Sequence, residues 1–245
     1  MSTYRQDLIG SKALVTGATS GIGRAVAKQL ARDGAQVIVH GRDAGRGAET
    51  VEAIEREGGQ ARSISADINE PVDLRRLADE AGDVDVLVNN AGTAWFGATT
   101  ELDLDTFDSL FAANVRAPYF LVATIAPKMA AKGAGSIVNV GSMAGEVGMV
   151  GGAAYGATKA CLDAMTRSWA AEFSPSGVRI NTVASGPVYT AIQSRETTTA
   201  VGATTLLDRA AEAEEIAELI AFLASSRASY ITGATIAADG GRTAV

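Results

Sequence analysis

Ser142, Tyr155 thirteen residues on and Lys159 four beyond it have the types and spacing to place a proton on a carbonyl oxygen. A free phenol has a pKa near ~10, which makes it a reluctant acid and a scarce base at neutral pH. Residues i and i+4 share one face of a helix, so Lys159 stands over Tyr155 if this stretch is helical. An ammonium about 4 Å from a phenolate is worth up to ~4 kcal/mol at an effective dielectric near 20. That attraction favours the phenolate and brings proton transfer toward neutral pH, where general acid–base catalysis is most effective. A Tyr–Lys pair alone is ordinary on a helix surface. Its weight depends on what else the chain carries.

A proton needs a hydride to complete a carbonyl reduction, and the chain opens with a place to hold a hydride carrier. Gly17-Ala18-Thr19-Ser20-Gly21-Ile22-Gly23 follows an apolar run and precedes a helical pattern. Glycines permit a tight turn and close backbone approach, while the free amides of a helix start meet a pyrophosphate. Thr19 and Ser20 add hydroxyl donors. The second strand ends in His40-Gly41-Arg42-Asp43. Arginine there suits the 2′-phosphate of NADP, whereas an acid would grip the ribose hydroxyls of NAD. Arg42 favours NADP, and Asp43, at a spacing that roughly fits an acid, keeps NAD as the alternative.

Stepping outward, apolar runs at 13–16, 36–40, 62–65, 84–89, 136–140, 179–183 and 234–237 alternate with helical spacing at 21–33, 44–57, 71–80, 103–131, 154–173 and 213–224. Continuous apolar strands separated by helices predict a parallel sheet buried on both faces. The expected fold is α/β, a doubly wound parallel sheet of about seven strands with helices on both faces, in one domain over 1–245. The stretch 187–208 has no clear period and is long for a connection, which suits a substrate lid. Glu212, Glu214 and Glu215 read as the first turn of the following helix, at the positive end of its dipole.

The net charge of −7 argues against nucleic acid as a partner. The first twelve residues lack a signal-peptide core, and no unbroken apolar run approaches the ~20 residues of a membrane span. A lone Cys161 reads as a packing residue in a reducing cytoplasm, and the single histidine, His40, leaves no plausible metal cluster or histidine-based triad.

Together these residues resemble the short-chain dehydrogenase/reductase family over nearly the whole chain. The resemblance rests on Thr16 through Gly23, on Asn89-Asn90-Ala91-Gly92, on Asn114 within Ala-Asn-Val and on Gly141-Ser142. It continues through Tyr155-Gly-Ala-Thr-Lys159, Gly186-Pro187-Val188-Tyr189-Thr190, Thr232-Gly233 and Asp239-Gly240-Gly241. It implies Tyr155 as acid in reduction and base in oxidation, and Ser142 as donor to the substrate oxygen. Lys159 would hold the nicotinamide ribose, and Asn114 a water leading from Lys159 to solvent. Asp67 and Ile68 would meet the adenine, Asn90, Ala91 and Gly92 would line the cofactor path, and Val188 and Thr190, beside Gly186 and Pro187, would meet the carboxamide. Asn89 is expected to tie strands together.

Within the family the chain looks closest to 3-oxoacyl-[acyl-carrier-protein] reductases, with Lys128 and Lys132 as a small basic patch for such a carrier. A simple secondary alcohol, sugar or xenobiotic ketone is the competing substrate, in a pocket expected to include Trp95, Met143, Met149 and Tyr189. The resemblance also implies a homo-oligomer, a tetramer or dimer, joined through helices 103–131 and 154–173, with small residues such as Ala170 and Ala171 at the contact. Two departures stand out: Ser185 where the family has proline, expected to loosen the neighbouring loop, and Ala213 where a proline commonly starts the next helix. A non-catalytic dinucleotide-binding regulator is the reading from a different class, and the intact Ser142, Tyr155 and Lys159 count against it.

Overall fold

The computed structural model describes residues 7–245. Seven strands, β1 (Lys12–Val15), β2 (Gln36–Gly41), β3 (Gln60–Ser65), β4 (Val86–Asn89), β5 (Gly135–Ser142), β6 (Val178–Ser185) and β7 (Thr235–Ala238), form one sheet in the order β3-β2-β1-β4-β5-β6-β7. Every pairing is parallel. Successive side chains of a strand point to opposite faces, and here the two faces differ in kind. Val15, Val37, Val39, Val86, Val88 and Val138 join one core beneath α1 (Gly21–Arg32), α2 (Ala44–Arg56) and α8 (Ala213–Ala224). Leu14, Ile38, Leu87, Ile137 and Ile180 join the other, beneath α3 (Pro71–Ala81), α5 (Ala117–Lys132) and α6 (Ala153–Phe173). Each fully buried leucine or isoleucine contributes roughly 2 kcal/mol by burial.

A buried polar ladder sets α6 on the sheet. Asn89 Nδ2 donates to Asn139 Oδ1 at 2.8 Å, Asn139 Nδ2 donates to Thr166 Oγ1 at 2.8 Å, and the Thr166 and Thr182 hydroxyls meet at 2.8 Å. Buried polar groups cost stability unless partnered, so this chain of bonds fixes one rotation of α6 and hence the direction in which Tyr155 and Lys159 project. Asn89 does tie strands, as its position in the sequence suggests.

Several boundaries differ from the sequence reading. β5 and β6 run on to Ser142 and Ser185, past the last apolar residues, because pairing continues through polar side chains. Ser185 still lies within the sheet, in register with Ser142 and with Ala238, and it keeps the amide that a proline would lack. The helix expected over 103–131 is α4 (Leu104–Phe111), a π turn (Ala112–Arg116) and α5. Pro118 cannot donate the i→i+4 bond to Asn114, which weakens the α ladder where the π turn forms. By length and mean hydropathy the 104–132 stretch could cross a membrane, but 56% of its apolar window is buried inside the protein. The lid region is not irregular throughout: it carries α7 (Arg195–Gly202), whose N-cap Ser194 accepts from Thr197 N at 3.1 Å. At α8 a capping box of Glu212 and Glu215 marks the helix start that Ala213 does not. Ala170 is buried against the Gly233 turn, whereas Ala171 is exposed.

Candidate active site

β1 pairs with β2 on one side and β4 on the other, so the strand order reverses there and a crevice opens at the carboxyl ends. Two adjoining cavities fill it, of about 250 Å³ on the β2 side and about 150 Å³ on the β5 side. Ile22, Asn90, Gly92, Thr93, Thr190 and Ile192 border both.

The first cavity is a cradle built on glycine. Gly17 has φ +65° and Gly21 φ +50°, a region that side chains rarely adopt. A Cβ on Gly23 would sit 2.3 Å from the Gly17 carbonyl oxygen and 2.3 Å from Asn90 Nδ2, and one on Gly41 would sit 2.4 Å from the Thr19 methyl. Only glycine lets these segments close up. Thr16 fixes the turn against β4, donating to Val88 O at 3.2 Å and accepting from Asn90 N and Ala91 N, each at 3.0 Å. Asn90 Nδ2 returns bonds to Thr16 O and Gly17 O at 2.8 and 3.2 Å. Ser20 is the N-cap of α1, but its side chain makes no capping bond. The first amides of α1, at Gly21, Ile22 and Gly23, therefore border the cavity without a capping side chain and suit a phosphate.

At the far end of the cradle, Arg42 presents an exposed guanidinium 4.0 Å from Asp67 Oδ2. Asp43 is turned elsewhere: its carboxylate accepts from Arg46 N at 3.0 Å, caps α2 and pairs with the Arg46 guanidinium at 3.4 Å. Capping and the neighbouring arginine hold its pKa below the usual carboxylate value. Arg46, which the sequence reading passed over, lines the cradle beside Arg42. Asp67 caps Asn69 N at 3.0 Å, so it serves as a turn former while bordering the cavity with the buried Ile68. Asn69 is a second residue missed from sequence. It borders the cavity, and its Oδ1 is buried without a hydrogen-bond partner among the described residues.

The second cavity gathers the proton-handling groups. Ser142 ends β5 with its Oγ accepting from Ala144 N at 3.2 Å. Tyr155 and Lys159 lie in the first two turns of α6, and the lysine Nζ stands 5.7 Å from the centre of the phenol ring. Lys159 is buried and donates to Val140 O at 2.7 Å. Two glycines bring α6 against the turn after Ser142: a Cβ on Gly156 would lie 2.5 Å from Ala144 O, and one on Gly145 3.0 Å from Ala160 N. Neither glycine stood out in the sequence, because a helix-to-turn approach leaves no local pattern.

Asn114 is buried in the π turn and bound on three sides. Its Oδ1 accepts from Thr93 N at 2.9 Å, and its Nδ2 donates to Thr93 O at 2.8 Å and Thr158 Oγ1 at 3.0 Å. Thr158 in turn donates to Tyr155 O at 2.7 Å. Asn114 thus links the strand β4 exit to the catalytic-type helix. A Cβ on Gly92 would strike its Oδ1 at 2.7 Å, so this glycine too is a packing requirement.

Gly186, Pro187, Val188 and Thr190 border the second cavity, as expected, and Thr190 also packs within 3.1–3.3 Å of where a Gly21 Cβ would be. The pocket wall differs from the sequence reading. Met143 and Met149 line it, but Trp95 folds over Gly97 and Tyr189 turns toward α7, its hydroxyl 3.1 Å from Thr199 Oγ1. Phe96 takes the place assigned to Trp95, its ring 5.4 Å from that of Tyr155. Lys132 pairs with Asp85 at 3.1 Å, which reduces the basic patch expected with Lys128.

Residues 17–243 match the family model described as enoyl-(acyl carrier protein) reductase. An uncharacterized oxidoreductase of Methylorubrum extorquens is 39% identical over 245 residues, covering 96% of this chain and 98% of its own. A solved structure described as a short chain dehydrogenase/reductase family protein superposes with TM-score 0.91 at 47% identity, over 98% of this chain and 100% of that one. A blue fluorescent protein from a metagenomic library, solved in complex with NADPH, superposes with TM-score 0.91 at 36% identity, over 96% and 99% of the two chains.

Proposed function

The chain belongs to the short-chain dehydrogenase/reductase family and is an oxidoreductase; from that premise we propose that it uses NADP(H) to interconvert an uncharged ketone and a secondary alcohol. The observation that carries this is the continuity of one crevice. Arg42 and Arg46 stand at its phosphate-recognising end, and Ser142, Tyr155 and Lys159 meet at the other. When bound, the nicotinamide supplies or accepts the hydride at the substrate carbon. In the reductive direction Tyr155 gives its proton to the substrate oxygen, leaving a neutral alcohol, and in oxidation it takes that proton back. Ser142 donates a hydrogen bond to the same oxygen as charge develops on it. Lys159 stabilises the phenolate that remains and would hold the nicotinamide ribose. Asn114 holds the Thr93 and Thr158 segments on either side, and would position a water for proton return to Lys159.

The cradle fits a dinucleotide on its own geometry, since close backbone approaches at Gly17 and Gly23 and the positive φ of Gly17 and Gly21 favour glycine, and the start of α1 offers amides. Thr19, Ser20, Gly21, Ile22 and Gly23 would hold the pyrophosphate. Asp67, Ile68 and Asn69 would border the adenine, and Asn90, Ala91, Gly92, Gly186, Pro187, Val188 and Thr190 the nicotinamide side. NADP is favoured over NAD because Arg42 and Arg46 face the ribose end while Asp43 is occupied as a helix cap.

Phe96, Met143, Met149, Ile192 and Val201 make the substrate wall largely apolar. Among the described residues the wall holds no arginine to grip an anion bidentately, and Lys159 Nζ is turned onto Val140 O beside Tyr155, so we take an uncharged ketone as the substrate class. The pairing of Lys132 counts against a carrier-protein partner. We further infer that residues 187–208 act as a lid within a single-domain enzyme. The exposed Leu104, Phe107, Tyr119 and Phe120 along α4 and α5 suit a homo-oligomer contact. A reducing cytoplasm suits the lone, partly buried thiol of Cys161.

The test is NADPH oxidation against a panel of neutral ketones, 3-oxoacyl thioesters and keto acids, for the wild type and Tyr155→Phe. The variant should bind NADPH as before and lose ~10²–10⁴-fold in kcat. Undiminished turnover in Tyr155→Phe would sink the mechanism. NADPH binding with no ketone reduced across the panel would favour a non-catalytic binding protein.

A further inference from the structure

His40 carries no part of the proton transfer described above, yet it is 2% exposed and sits behind the cradle. We propose that His40 is the positioning residue of the dinucleotide cradle, its neutral ring bridging the glycine turn, the end of β2 and the end of β3. The proposal rests on the reading of that cradle as a dinucleotide site.

Two contacts fix the tautomer. Nε2 lies 3.1 Å from Ala66 O. A carbonyl oxygen only accepts, so Nε2 carries the proton and donates it. Nδ1 is then an unprotonated acceptor, and it takes the Gly17 N–H at 3.3 Å. The next amide of the turn, Ala18 N, donates to the His40 carbonyl at 2.8 Å. Two consecutive amides of the glycine turn therefore end on one residue.

The bridge continues on both sides. Asn90 Nδ2 holds the Gly17 carbonyl, so the peptide groups flanking Gly17 are bonded in opposite directions while its φ stays at +65°. Ala66 N donates to Gly41 O at 3.1 Å, and Ala66 precedes Asp67 at the cavity edge. Removing the Nδ1 acceptor leaves the half-buried Gly17 amide without its protein partner beside the pyrophosphate path and frees the turn to shift. A protonated ring is worse, because it sets an N–H against the Gly17 N–H.

The surroundings keep the ring neutral. Asp67 from the β3–α3 turn and Asp73 from α3 favour its charged form, while Arg76 from α3 opposes it. Burial outweighs them all and pushes the pKa down to about 4. The ring does not border the ketone cavity, which separates this role from acid–base catalysis.

Two substitutions divide the two ring contacts. The amide oxygen of His40→Asn falls near the place of Nδ1 and keeps an acceptor for Gly17. The amide of His40→Gln reaches toward Ala66 and abandons Gly17. NADP⁺ affinity by calorimetry, and kcat at saturating NADPH, should split them: His40→Gln loses on the order of tenfold in affinity and His40→Asn only a few-fold, with kcat unchanged in both. Equal affinities in the two variants, or a loss in kcat at saturation, would overturn the proposal. Absence of any dinucleotide binding by the wild type would instead overturn the reading of the cradle.

Because this is the only histidine, nitrogen NMR of untagged wild-type protein reads the ring directly and needs no variant to fold. The expected spectrum shows the Nε2–H tautomer, with no titration from pH 7.5 to 5.5. A ring titrating near the ordinary histidine pKa, or protonated at Nδ1, contradicts it.

Discussion

The cradle on the β2 side of the crevice and the cavity under the lid are built on different principles. In the cradle, the side chains of Thr16, Asn90 and His40 together make seven hydrogen-bond contacts to the backbone of neighbouring strands and turns. Its glycines stand where any Cβ would collide. The 187–208 segment is tied at its stem by three backbone bonds, Tyr189 N to Ala211 O at 3.0 Å, Ala211 N to Pro187 O at 2.9 Å and Leu207 N to Gly240 O at 3.1 Å. Beyond the stem it is steadied by the exposed Tyr189–Thr199 contact and by Arg195 resting 4.2 Å above the Tyr189 ring. A ligand of fixed shape rewards a preorganised frame, whereas a cavity that admits and releases substrate draws on segments of low local stability. On the proposed reading of residues 187–208 as a lid, one half of the crevice is a mould and the other a gate.

The sharpest way to break this contrast is Gly23→Ala. The new methyl would overlap the Gly17 carbonyl and the Asn90 side chain. Overpacking of about 3 kcal/mol predicts at least ~100-fold weaker NADPH binding, measurable by fluorescence titration. Binding within a few-fold of wild type would show that the mould is soft.

Acid should expose the same rigidity. The unfolded ring of His40 charges near its ordinary 6.5 and the folded ring only near 4. The unfolded state therefore takes up the proton first, and stability contributed by this group falls as pH drops from 6.5 to 4. The loss should reach on the order of 3 kcal/mol. Urea midpoints at pH 7 and 4.5 for wild type and His40→Asn check it, and the variant should lack this increment.

Arg42→Ala acts at the edge of the mould. Loss of a charge-assisted contact predicts ~10–100-fold weaker NADPH binding with NADH changed less than about twofold. An equal loss for both coenzymes would remove the 2′-phosphate assignment.

On the gate side, Phe96→Ala should raise KM for apolar ketones by ~10-fold, since a lost aromatic contact is worth about 1 kcal/mol beyond its area. NADPH affinity should not move. Smallest of all, Tyr189→Phe removes one exposed hydroxyl contact to α7, and kcat/KM should change by only about two- to threefold. A large effect there would mean that the lid is held as tightly as the cradle.

The same division governs what could be read ahead of the structure. Gly17 through Gly23, Arg42, Ser142, Tyr155 and Lys159 act through turns, strand ends and a helical repeat of four, all of which leave marks within a few residues. Asp43 leaves two readings open in the sequence because its spacing is compatible with a ribose acid, and only the Arg46 amide above it shows that it caps a helix. Trp95 and Phe96 are adjacent and equally apolar, and nothing in their order says which one turns toward Tyr155. The Thr-rich lid reads as loop because β-branched residues disfavour helix, yet Ser194 caps α7 and Thr198 and Thr199 bond back to the carbonyls four residues earlier. His40 shows no local sign of its role, because its partners lie 23 and 26 positions away.

The sequence by itself determined the parallel sheet, the tight glycine turn before α1 and the family to which the chain belongs. Periodicity, glycine placement and i,i+4 spacing are local properties that survive without coordinates. The tertiary structure alone decided which face of each segment meets the crevice. That choice made Asp43 a cap and Arg46 a cradle residue, put Phe96 in the wall in place of Trp95, and fixed one tautomer on His40. Each outcome is set by bonds between segments remote in the chain, where packing and the need to satisfy buried polar groups leave a single arrangement.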